Sequence, residues 1–128
     1  MKLRLFVAAL VLGLATAAAA FARGQALTGT FQSKIAKGAA SGTWVIKLAN
    51  PVFTTTKNGK LAVKGTYSAA EGTLTFIDQG GPLRCKGGSA TGIFDYKLAG
   101  KKLTMKNLAD GCKSRVAVMT AQPFTKIG

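Results

Sequence analysis

The sequence has no histidine, and its only acidic residues are Glu71, Asp78, Asp95 and Asp110. The commonest general base of enzymes is therefore missing. No two of the four acids are close in sequence, and the serines stand singly, outside any nucleophile motif. The chain reads as a non-enzyme with no catalytic residue. There are two cysteines. With no histidine beside them they cannot complete a tetrahedral zinc shell, so neither a metal nor a cofactor is expected. Arginine is scarce beside lysine, whereas phosphate-reading sites favour arginine's bidentate fork. That scarcity argues against nucleic acid as a partner.

One long apolar run is present, Leu5 to Ala20. Lys2 and Arg4 precede it, and Ala20-Phe21-Ala22 follows as an A-x-A-like cleavage site before Arg23. A positive start, an apolar middle and small residues at the cut are the three parts of a secretory signal peptide. The run is short of the ~20 residues that a membrane span needs, and its second half is weakly hydrophobic alanine. Residues 1–22 are therefore expected to be removed, with 23–128 forming one periplasmic or secreted domain of 106 residues. No lipobox cysteine follows the run, which argues against a lipid anchor. In an oxidising compartment an even pair of cysteines reads as a disulfide, here Cys85 with Cys112.

Charge is one-sided. The full chain carries +14; taking Lys2 and Arg4 from its 18 basic residues leaves 16 against 4 acids, or +12. Such a charge attracts polyanions, here anionic membrane surfaces or acidic glycans. Scattered lysines also guard strand edges and keep a β-rich protein soluble and monomeric.

The dominant pattern is alternation with period two. Trp44, Ile46 and Leu48 alternate with Val45 and Lys47. Leu61, Val63 and Tyr67 share a face opposite Lys60, Ala62, Lys64 and Thr66. Leu74 and Phe76 alternate with Thr73, Thr75 and Ile77. Phe94, Tyr96 and Leu98 oppose Ile93, Asp95 and Lys97, and Leu103 and Met105 oppose Lys102, Thr104 and Lys106. Turn signals separate these runs. Asn58-Gly59 is a two-residue hairpin of the primed type, and Ala49-Asn50-Pro51, Ala70-Glu71-Gly72 and Ala99-Gly100 break other pairs. The result is about eight strands, near 26–35, 42–49, 51–57, 60–68, 72–78, 91–98, 101–107 and 115–121. No segment after residue 23 shows a helical period.

Strands in sequence order joined by short turns predict an all-β fold, a single antiparallel up-and-down barrel, with a β-sandwich as the alternative. In the barrel, loops 1–2, 3–4, 5–6 and 7–8 share one end. Cys85 falls in loop 5–6 and Cys112 in loop 7–8, so the topology brings them together. Lys37, Lys57, Arg84 and Lys86 fall at the same end and would rim a mouth. Phe31, Trp44, Ile46, Val63 and Tyr67, with Phe76, Phe94, Tyr96 and Met105, would line the interior below. An apolar interior under a cationic rim suits an anionic amphiphile of the fatty-acid or lipid type. The plain alternative is that these side chains simply fill the barrel. A protein-binding module, such as a barrel-type inhibitor or an envelope interaction protein, is the other functional class.

The strand meander, the Gly29-Thr30-Phe31 element near the start of strand one and the stapled exported domain resemble the lipocalin-like (calycin) barrels. The resemblance implies a barrel that carries a hydrophobic ligand. That family has tryptophan where this chain has Phe31, and its partner arginine lies near the end of the last barrel strand. Arg115 is placed at the start of strand eight and does not match it.

Overall fold

The structure is a computed structural model that describes residues 27–128. The signal-peptide and cleavage-site reading of residues 1–22 lies outside the described residues. Eight strands close into one antiparallel barrel in sequence order. They are β1 (Gly29–Ile35), β2 (Gly42–Ala49), β3 (Val52–Lys57), β4 (Lys60–Ala70), β5 (Thr73–Gly80), β6 (Thr91–Ala99), β7 (Lys102–Ala109) and β8 (Phe124–Lys126). A 3-10 turn, Gly87–Ser89, lies between β5 and β6, and a helix, α1 (Lys113–Thr120), between β7 and β8. The last strand closes the ring: Thr125 pairs with Lys102 of β7 and with Gln32 of β1.

Alternation builds the core. Phe31, Ile46, Phe53, Leu74, Phe76, Phe94, Leu103 and Phe124 are essentially sealed from solvent. Phe76 takes Phe53 and Phe94 edge-on, with ring centroids 5.0 and 6.1 Å away. Each such side chain contributes roughly 1.5–3 kcal/mol by burial. Threonine and lysine occupy the outer face. Two hairpins have both central residues at positive φ, Asn58 (51°) with Gly59 (81°) and Glu71 (51°) with Gly72 (82°). This is the primed turn whose twist matches that of paired strands.

Four expectations are corrected. The segment expected as strand 115–121 is helix α1, and the strand closing the barrel is the short β8 beyond it. As a strand, the segment would set Arg115 beside Met119 on one face and Val118 on the other. As a helix it puts Arg115, Val118 and Met119 on one buried face at the i, i+3, i+4 spacing. On β4 a register shift lies opposite Thr55 and Thr56, which pair with Val63 and Leu61 and leave Ala62 as the extra residue of a bulge. Ala62 therefore turns inward and Leu61 outward, to 45% exposure. Leu98, expected inside, is exposed, because β6 there has run past the covered part of the barrel. Asp78, set at the end of the expected strand 72–78, lies within β5, which runs on to Gly80, and points inward with Leu74 and Phe76.

Candidate functional site

Loops 1–2, 3–4 and 5–6 and the long 7–8 connection meet at one end of the barrel. That end is roofed rather than open: α1 lies across it, and two attachments hold the helix down. One is the Cys85–Cys112 disulfide, which joins loop 5–6 to the residue before the helix. The other is Arg115. Its Nε and Nη2 both bond Asp110, the latter at 2.8 Å. Nη2 also donates to the Ser89 carbonyl at 2.8 Å and Nη1 to that of Ala90 at 2.9 Å. Asp78 Oδ1 lies 3.1 Å from Nη1, close enough for charge attraction although not aligned as a hydrogen bond. The half-cystines share these same acids. The Cys85 amide donates to Asp78 and the Cys112 amide to Asp110, at 2.8 and 2.9 Å. Burial pulls the Arg115 guanidinium pKa down, but the hydrogen bond and charge of Asp110, aided by Asp78, outweigh it and raise the pKa. The guanidinium of this cluster is thus fully engaged, one cation against two acids, a formal net −1, while Asp78 Oδ1 keeps no hydrogen-bond partner among the described residues.

Beneath the roof is a partly enclosed cavity of about 240 Å³. Its walls are Trp44, Phe53, Thr55, Val63 and Asp78 from the barrel. Leu83 and Cys85 of loop 5–6 and Val118 and Met119 of α1 close it from above, and Lys57 stands at its edge. The Lys57 ammonium sits 5.3 Å from the Trp44 ring centre, within cation–π range. The Trp44 indole N–H donates to the Ala40 carbonyl at 2.8 Å, which pins loop 1–2 over the cavity. The surface is predominantly apolar. Two polar atoms of its lining residues stand out: the Thr55 hydroxyl and Asp78 Oδ1 are buried and have no hydrogen-bond partner among the described residues.

Of the residues singled out in the sequence, Trp44, Val63 and Lys57 meet at this cavity. Phe31, Ile46, Tyr67, Phe76, Phe94 and Met105 are buried but pack the rest of the barrel, and Tyr96 is half-buried against that core. Lys37, Arg84 and Lys86 are exposed and line no part of the cavity. Arg84 folds back onto the Gly81 carbonyl at 3.2 Å. The interior is thus part filled and part open, and this opening lies at the roofed end. Sequence reasoning missed Phe53, Thr55, Asp78, Arg115 and Met119. For Phe53 and Thr55 the signal was strand parity within Val52–Lys57, obscured by three consecutive threonines. No family model matches the chain, and neither does any curated protein or solved structure.

Proposed function

We propose that the protein is an exported, non-enzymatic carrier or sensor of a compact apolar molecule, held in the barrel beneath α1. The observation that carries this reading is the cavity bounded by Trp44, Phe53, Val63 and Met119. A barrel of this strand number could have filled its whole interior with side chains, yet the packing stops short at the end farthest from Phe31 and Phe124. About 240 Å³ is below the ~300–1,000 Å³ of sites for drug-sized ligands. The ligand is therefore a ring or a short chain, and a long-chain fatty acid would have to protrude. Arg115 is neutralised by Asp78 and Asp110, so the cation on offer to an anionic group is Lys57 at the edge. Both inward acids are bound to Arg115 and to backbone amides, which supports a binding role over catalysis. The disulfide supports an oxidising compartment. The strand meander is consistent with the lipocalin-like resemblance.

The test is ligand-observed NMR and native mass spectrometry of the purified, disulfide-bonded chain with a panel of small ring and short-chain compounds. Binding that is blocked by filling the cavity with Val63→Phe is the expected result. No binding across the panel would overturn the reading.

A second reading rests on a different observation. Lys47, Lys64, Lys97, Lys102 and Lys106 stand exposed on the outer wall, and none is ion-paired to an acid among the described residues. This favours electrostatic attachment to an acidic envelope polymer or anionic membrane. Such attachment disappears near 0.5 M salt, where the Debye length is roughly 4–5 Å.

A further inference from the structure

The polar atoms of the cavity say more about its ligand than its volume does. Thr55 points inward from β3, and its residue exposure is 3%. Its cross-strand neighbours are Ile46 on β2 and Val63 on β4, both apolar, so the barrel wall offers its hydroxyl no partner. Valine has nearly the same shape and would remove the cost of burying that oxygen unpaired. Asp78 lines the same cavity from β5. Its Oδ2 takes the Cys85 amide, while Oδ1 has only the misaligned charge contact with Arg115. An ionised carboxylate can only accept hydrogen bonds.

We propose that the buried end of the ligand is a neutral hydrogen-bond donor, a compact alcohol or phenol whose hydroxyl docks between Thr55 Oγ1 and Asp78. The proposal rests on the cavity being a ligand site. The ligand hydroxyl supplies the donor that Asp78 needs and the partner that Thr55 lacks. A carboxylate in the same place would face a cluster of net charge −1 and find no free cation, since Arg115 is already fully engaged. An acidic group, where a ligand has one, stays at the edge with Lys57. Specificity then comes from the two polar atoms and affinity from the apolar wall, the usual division of labour in small-molecule sites.

The experiment compares phenol, toluene and benzoate, three ligands with one ring and different polar ends, by titration calorimetry on the disulfide-bonded chain. The variants are Thr55→Val and Thr55→Ser. The expected result is that Thr55→Val lowers the phenol-to-toluene affinity ratio about fivefold to tenfold, the loss of one buried hydrogen bond. Thr55→Ser keeps the wild-type ratio, and benzoate binds more weakly than phenol. An unchanged ratio in Thr55→Val, a ratio lost equally in Thr55→Ser, or benzoate binding as tightly as phenol would each overturn the proposal while leaving the cavity a ligand site. Absence of binding by all three to the wild type would remove the ligand site itself.

Discussion

Arg115 lies directly over Gly92: a Cβ placed on that glycine would come within 2.5 Å of the guanidinium Nη2 and closer still to Asp110. Gly92 lies on β6 and faces inward, so an ion pair occupies the volume that a side chain on this strand would fill. Gly92→Ala must therefore push Arg115 off Asp110 or bend β6. A loss of about 2–4 kcal/mol is expected, combining overpacking with damage to a buried pair. Urea unfolding measures it. A change under about 0.5 kcal/mol, the range of an ordinary surface substitution, would show that the cluster tolerates displacement.

The charge cluster makes a sharper prediction when it is cut from either side. Arg115→Met leaves Asp78 and Asp110 buried without their cation and should cost about 3–5 kcal/mol. The triple variant Arg115→Met, Asp78→Asn, Asp110→Asn leaves no uncompensated charge. It should recover much of that loss, because replacing a whole buried ion cluster is far milder than breaking one. Chemical denaturation of the wild type, the single variant and the triple variant reads the difference.

Reduction tests the other attachment of the roof. The Cys85–Cys112 bridge closes a separation of 27 residues, and its loss should cost about 3–4 kcal/mol in the chain-entropy model. Local opening should precede global unfolding. In the paired variant Cys85→Ser, Cys112→Ser, amide exchange should rise first in α1, which touches the barrel through few residues, while β2–β5 stay protected.

The barrel was legible from the sequence because its evidence is local and repeated. Alternation from Trp44 to Leu48 or from Leu74 to Phe76 needs no knowledge of the neighbouring strand, and Asn58-Gly59 names its own turn. The disulfide followed from an even cysteine pair in a chain read as exported, and strand order agreed by setting both at one end of the barrel. The roof was not legible, for a physical reason. The buried stripe of α1 begins with Arg115, and an arginine reads as an outward residue until Asp78 and Asp110 are known to face it. Without it, Val116 and Val118 present the alternation of a strand, and α1 has no acid in its first turn and no capping side chain to contradict that reading. The cavity followed the roof into obscurity, since half its lining comes from α1 and loop 5–6. The Ala62 bulge was hidden likewise: it depends on the register with β3, which Leu61 and Val63 do not reveal themselves.

Ser33 offers a clean contrast to Thr55. Its hydroxyl is also buried without a partner among the described residues, but it lies outside the cavity, opposite Trp44 on β2. Removing it therefore sacrifices no ligand contact. Ser33→Ala should be neutral or raise stability by up to about 1 kcal/mol, since an unpaired polar atom is exchanged for an apolar one. Phenol affinity should be unchanged. Thermal unfolding beside the calorimetric titration separates this outcome from that of Thr55→Val, which should gain stability and lose phenol.

Tyr67 links stability to alkaline pH. Its hydroxyl donates to the Leu27 carbonyl at 2.6 Å and ties the chain entering β1 to β4. Burial raises the phenol pKa above its usual 10.0, partly opposed by a hydrogen bond to the Asn50 backbone. A folded-state pKa above the unfolded value means that the unfolded chain ionises first. The contribution of Tyr67 is then fully present below pH 10 and is lost as pH rises through the folded value. Tyr67→Phe removes both the hydrogen bond and the ionisation. At pH 7 it should cost about 1 kcal/mol. Above pH 10 the gap between wild type and variant should narrow, because only the wild type pays for keeping a phenol neutral. Every other ionisable group is common to both proteins, so the difference between the two curves isolates Tyr67. A gap that stays constant from pH 7 to pH 11 in urea titrations would show that its hydroxyl ionises as freely in the fold as outside it.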